Sequence, residues 1–224
     1  MEKNLSPIDN SEKSFFSIIV HSFFIIPFII TVFSLLLFGA IHLLTKENRT
    51  AKDYLEDVQI GGFNKRWQGA FELSKLLSNK EFFTNDPDFS NDLIAAFNHA
   101  KHDDDRVRQY LALAMGKSED KIFTSPLVEA LKDEKEINIP AIIYALGMLK
   151  NADTITTLNQ YTDHNSARIR SLAYAAIANM ADIKYKEIFL KGLHDPEANV
   201  QWNCAIALAR LADDSGKNII LNIL

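Results

Sequence analysis

The stretch 194-HDPEANVQWNCAIALARL-211 reads as a turn followed by a helix. Asp195 and Pro196 make the turn, because Pro presets φ and an Asp side chain bonds nearby backbone amides. Val200, Cys204, Leu208 and Leu211 then recur at spacings of four, four and three, one apolar face of an α-helix. The same face stands 31 residues earlier as Ile169, Ala173, Ile177 and Met180, behind Asp163. It stands 31 earlier again as Asn138, Ile142, Leu146 and Leu149, behind Asp133. A further step of 31 gives Val107, Leu111 and Met115, behind Asp103. A constant period of this size marks a stacked helical repeat, in which each unit buries its apolar face on the next. The expected fold is all-α: a single transmembrane helix followed by an α-solenoid of about five helix pairs.

Positions within the repeat carry more detail. Nine residues after the Val/Ile column stand Gly116, Gly147, Ala178 and Ala209, small side chains that let a neighbouring helix come close. One step after the column stand Arg108, Ile139, Arg170 and Gln201. The third copy departs from the others, with Asn138 in the apolar column and Pro140 in the first turn. Proline is tolerated there because the first amides of a helix lack intrahelical acceptors. The pattern D-x3–5-[VI]-R-x3-[AL]-x3-[LIM] resembles the second helix of a HEAT repeat, in the short form common in bacteria. Asp103–Val107–Arg108 and Asp163–Ile169–Arg170 carry the resemblance best; the last copy keeps Asp195, Pro196 and Val200 but has Gln201 for the basic residue.

The composition agrees with helices. Of 224 residues, 47% are hydrophobic, and only 8 are Gly and 6 Pro. The one cysteine, Cys204, falls on an apolar helix face and reads as a small buried hydrophobe. No disulfide can form within the chain, so nothing implies an oxidising compartment.

Residues 1–14 are polar and of mixed charge, and read as a disordered tail. Residues 15–44 carry no formal charge. That exceeds the roughly 20 residues a helix needs to cross a bilayer and is too short for two spans. A signal peptide would show a basic start and a small-residue cleavage site; the leading segment is acidic and basic alike, and no such site follows. The expectation is one uncleaved transmembrane helix over 15–44, with Pro27 as a point for a kink. Ser17, His21, Thr31 and His42 fall on one stripe of it. Either the histidines reach the two interfaces and the hydroxyls bond their own helix, or the stripe faces the helix of an integral membrane partner. Lys46, Arg49 and Lys52 after the span outnumber Lys3 and Lys13 before it, which favours an inner-membrane protein with a cytoplasmic C-terminal side.

Residues 45–62 read as a charged, partly helical linker ending at Gly61–Gly62. The solenoid is expected over 63–224, opening with a degenerate repeat in which Ala70, Leu73 and Leu76 match Ala205, Leu208 and Leu211. An insertion over residues 79–91 carries Phe82, Phe83 and Phe89, greasier than a solvated loop should be. These phenylalanines either cover the open end of the solenoid or touch a partner.

Several chemistries lack their signatures. There is no GxxxxGK[ST], HExxH or GxSxG motif. His102, His164 and His194 sit beside aspartates at corresponding turns. Packed helices lie roughly 8–10 Å apart and metal bonds are about 2 Å, so one ion could not span three repeats. HEAT-fold deoxyhypusine hydroxylases hold iron through His-Glu pairs, and this sequence has none. HEAT-like DNA glycosylases use a basic groove. Without the two lysines and three acids of the first 45 residues, the remaining chain holds 22 basic against 26 acidic residues, which argues against nucleic acid. HEAT-like bilin lyases carry no local mark that could be sought here. No cofactor or metal is expected. The layout of one span followed by HEAT repeats, entered through GGFNKRWQGAFELSKLL, resembles bacterial membrane-anchored HEAT proteins associated with ABC-type transport systems. The resemblance implies a non-enzymatic scaffold or accessory subunit that binds soluble or cytoplasmic protein domains through its solenoid and the lipid bilayer through its helix. The alternative is a HEAT-fold enzyme, metal- or bilin-dependent, tethered to the membrane. In HEAT repeats the Val-Arg helix lines the concave side, which makes Arg108, Gln109, Arg170, Gln201, Trp202 and Asn203 candidates for partner binding. Trp202 is a large aromatic where a solvated helix needs none; it either anchors a partner or lies over the final helix.

Overall fold

The computed structural model describes residues 19–44, 49–79, 82, 86–180 and 183–222, and the regular structure among them is helical, with no strand. Two compact units divide the chain, Met1–Asn48 and Arg49–Leu224.

In the first unit a π-helical turn, His21–Ile25, runs directly into an α-helix, Ile26–Leu44; together they form α1. The turn ends at the point where Pro27, lacking an N–H, removes an i→i−4 bond, and a π turn there re-registers the ladder. Over His21–Ile41 the mean hydropathy is 2.6, and none of these residues is buried within the chain. A helix apolar on every side and left unburied along its described length is not the core helix of a globular domain. By length and composition it can cross a membrane. The Thr31 hydroxyl donates to the Pro27 carbonyl at 2.8 Å, a bond within its own helix. Ser17 and the His42 side chain lie outside the described residues.

Among the described residues the second unit is a stack of five helix pairs and a closing helix. The first helices are α2 (Ala51–Ile60), α4 (Pro87–His99), α6 (Thr124–Ala130), α8 (Ile155–Asn159) and α10 (Lys186–Gly192). Their partners are α3 (Phe63–Leu76), α5 (Asp105–Lys117), α7 (Ile139–Leu149), α9 (Ala167–Ala178) and α11 (Ala198–Arg210), and α12 (Lys217–Leu221) packs on α11. Successive second helices pack on each other along the stack, α3 on α5, α5 on α7, α7 on α9 and α9 on α11. Val107, Leu111, Met115, Ile142, Leu146, Ile169, Ile177, Val200, Cys204 and Leu208 are all buried, as the four-four-three face requires. Burial also pushes the Cys204 thiol up to about 12, which keeps it protonated and unreactive.

The stretch read as a linker is a helix of the solenoid. Thr50 caps α2 with a reciprocal capping box to Asp53. Ala51, Leu55 and Val58 then point inward at a spacing of four and three, against α3. Three inward apolar positions are enough for one face of a ten-residue helix, and the four charges among the other seven residues are why the composition looked like a linker. A second correction concerns Phe89. Asp86 caps α4 and Pro87 opens it, so the helix starts inside the expected loop and Phe89 is turned into the core. Phe82 is exposed, and Phe83 lies outside the described residues.

The small-residue column sets the spacing of the second helices. A Cβ placed on Gly116 would stand 2.5 Å from the Ala145 Cα, and one on Gly147 would stand 2.8 Å from the Ala176 Cβ. Neighbouring backbones are therefore in contact at these points. Gly147→Leu should force α7 and α9 apart at a cost of about 1–3 kcal/mol. Chemical unfolding of residues 49–224 measures this, and an unshifted midpoint would argue against close packing at Gly147.

Candidate functional site: the face of the second helices

The basic column turns out to be internal mortar. Arg66, in the first pair, donates from Nε to the Val58 carbonyl of its own first helix and pairs through Nη1 with Asp103 of the next turn. Arg108 donates to the Phe97 carbonyl, lies 3.6 Å from the centre of the Phe97 ring, and reaches Glu134 Oε2 through Nε and Nη2 at 3.0 and 2.7 Å. Arg170 donates to the His164 and Asn165 carbonyls at 2.9 and 3.0 Å and grips both oxygens of Asp195 at 2.7 and 2.8 Å. Each arginine thus ties its own pair to the acidic turn of the following one. Ile139 interrupts the series, and Asp163 pairs with Lys191 instead. The guanidinium of Arg170 holds the Asp195 carboxyl below the usual carboxylate range.

Arg108 and Arg170 are therefore corrected from surface candidates to structural residues. The Arg108 side chain is 3% exposed and Glu134 beneath it 0%. The same network explains Asn138. Its amide nitrogen donates to Glu134 and Asp105 at 3.0 and 3.1 Å, and its oxygen accepts from Gln109 at 3.1 Å. A fully buried amide in an apolar column is stable because each of its groups has a partner. Gln109 is spent on this network, Gln201 on the Asp195 carbonyl at 2.6 Å, and Asn203 on Ser171 at 2.8 Å. Having internal partners removes the reason to read these three as contacts for another molecule.

Trp202 differs from them. It is 38% exposed and stands outside the buried core. Trp202→Ala should cost the isolated solenoid no more than about 1 kcal/mol, against the ~3–5 kcal/mol of a buried Trp. Thermal melting decides between the two, and a large loss would assign Trp202 to packing.

The open part of this face lies nearer the middle of the stack. Between α5, α7 and α9 runs a groove of about 450 Å³ lined by Tyr110, Leu113, Ile137, Pro140, Tyr144 and Leu172, with Arg106 and Arg168 at its sides. Tyr144 is 47% and Ile137 62% exposed. Arg106 is already held, by Asp104 at 2.6 Å and by stacking on Trp67. Arg168 is exposed and has no ion pair or hydrogen bond among the described residues, and neither tyrosine hydroxyl has a hydrogen-bond partner there. A groove on the first-helix side is different: its Lys101, Lys132, Glu129 and Asp133 are taken up in ion pairs with one another.

Sequence reading passed over the tyrosines of this groove. Tyr110 and Tyr144 stand three and six residues after the Val107 and Asn138 positions; Tyr110 is half-buried beside Phe71, and Tyr144 is exposed on the side away from the core stripe. Their spacing was available, but nothing in a single sequence separates an exposed aromatic from one that packs on the next helix. Among the described residues no group of three or more His, Cys, Asp or Glu is placed to hold a metal ion.

This geometry, paired antiparallel helices stacked through a repeated apolar face, defines an α-solenoid. Residues 91–178 match the family model of HEAT repeats. A comparison with curated proteins gives no match. Among solved structures, the chain is similar to an engineered protein from a structural genomics programme, with a TM-score of 0.56 and 15% identity over 77% of this chain and 84% of that one. It is also similar to the complex of CpcE and CpcF of phycocyanin lyase from Nostoc sp. PCC7120, with a TM-score of 0.51 and 19% identity over 77% of this chain and 68% of that one. Likeness at these identities is likeness of fold.

Proposed function

We propose that the protein is a membrane-tethered HEAT-repeat scaffold, a non-enzymatic accessory subunit that holds a partner protein on the face of its second helices in a bacterial membrane complex. The single observation that carries the reading is the open groove between α5, α7 and α9, where Tyr144 and Arg168 are exposed and neither the Arg168 guanidinium nor the Tyr110 and Tyr144 hydroxyls have a partner among the described residues. Tyr and Arg dominate protein interfaces when they are desolvated. The long apolar α1, unburied over His21–Ile41, supplies the tether. An ABC-type transporter is the complex that the sequence resemblance names. The likeness to a phycocyanin lyase structure is one of fold and brings no bilin site with it.

Affinity purification of the full chain from detergent-solubilised membranes, followed by mass spectrometry, tests this. Stoichiometric recovery of a permease or ATPase supports it, whereas a monodisperse lone protein carrying stoichiometric iron or bilin contradicts it. The excess of basic residues after α1 supports a cytoplasmic solenoid, by the positive-inside bias. A reporter active only in the cytoplasm should be active when fused after Leu224; activity from a periplasmic reporter alone would reverse the orientation.

A further inference from the structure

The groove also narrows what the partner presents, an inference that rests on the scaffold reading above. Its floor is apolar, from Leu113, Pro140 and Leu172, and its volume of about 450 Å³ lies in the range of sites that seat a few side chains (~300–1,000 Å³) rather than a folded domain. Among the described residues that line it, the one uncompensated charge is positive. Arg106 is neutralised by Asp104, so the open guanidinium is that of Arg168. The hydroxyls of Tyr110 and Tyr144 add two groups that donate or accept. A basic segment would meet Arg168 as a like charge, and a purely aliphatic one would bury three polar groups without partners.

We propose that this groove seats a peptide segment of the partner that carries an aliphatic or aromatic side chain beside a carboxylate. The apolar side chain lies against Tyr144 and Leu172, and the carboxylate meets the Arg168 fork, which matches it with two parallel N–H donors.

The test uses the full chain in detergent micelles and a displayed library of random peptides about 12 residues long. Selected peptides should share an Asp or Glu within a few positions of a Leu, Phe, Tyr or Trp. Their affinity should fall at least about tenfold for Tyr144→Ala and for Arg168→Glu, and fall with added salt as an exposed charge contact must. Both residues are exposed, so the two variants should melt with the wild type. Enrichment of Lys- or Arg-rich peptides, binding that both variants retain, or failure to enrich any sequence would overturn the assignment. So would a wild-type chain that self-associates and loses that association in both variants, which would give the groove to a second copy. If both variants still recover the partner from solubilised membranes, this assignment fails and the scaffold reading stands; if the wild type recovers none, the scaffold reading itself fails.

Discussion

Replacing Arg108 by Met should lower the stability of the 49–224 unit by about 3–5 kcal/mol, the cost of leaving one member of a buried ion pair without its partner. The carboxylate left behind is that of Glu134, whose side chain is 0% exposed. Its second oxygen keeps the bonds from Asn138 and from the Lys135 amide, so the loss is that of the charge partner rather than of the whole network. Arg108→Met with Glu134→Leu should recover much of the loss, because two apolar side chains of similar bulk can replace a buried pair at little cost. Urea unfolding of the two single variants and the double variant gives the coupling directly. A single variant as stable as the wild type would show that the bridge between the second and third pairs contributes nothing. The expectation is specific to this bridge: Lys191 and Asp163 are 59% and 66% exposed, and their pairing should be worth about 1 kcal/mol or less.

Deleting residues 1–44 should move the protein from the membrane pellet to the supernatant. Burying some twenty apolar side chains in lipid far outweighs any contact a polar solenoid surface makes with headgroups. The 49–224 unit has its own core, so the deleted protein should keep the helical circular dichroism and the melting transition of a folded solenoid. Ultracentrifugation after an alkaline carbonate wash reads the partition. A truncated protein that still pellets with membranes would mean that the solenoid, rather than α1, is the anchor.

The stack itself was legible because its period is long, regular and apolar. Val107, Ile169 and Val200 stand in equivalent buried places, and Gly116 and Gly147 stand at the backbone contacts that small residues were expected to serve. What was not legible was anything decided by pairing rather than by pattern. Arg108 and Arg170 share a column with no mark to say that each would find an acid in the next turn. Asn138 looked like a defect in its repeat, and only its contacts with Glu134, Asp105 and Gln109 show why it is stable there. The helix stops were hidden as well. Glu119, Lys150 and Ala212 occupy one register, each with φ between 51° and 58°, and none is the glycine that usually marks a left-handed stop. The residues after them, Asp120, Asn151 and Asp213, each accept a backbone amide two positions on and start the next helix. α2 was read as the helical part of a linker rather than as part of the solenoid because its three inward residues are outnumbered by charges, and the groove was missed because Tyr110 and Tyr144 share no column of the repeat.

The central claim is that the face of the second helices holds a protein while the chain is in its membrane. Site-specific photo-crosslinking tests it most directly. Tyr144→p-benzoylphenylalanine in the full chain, illuminated in native membranes, should give one discrete crosslinked protein. The same probe at Ile122, exposed on the first-helix side, should not. Crosslinking from position 122 alone, or a chain that stays uncrosslinked from 144 while folded and in the membrane, would contradict the account.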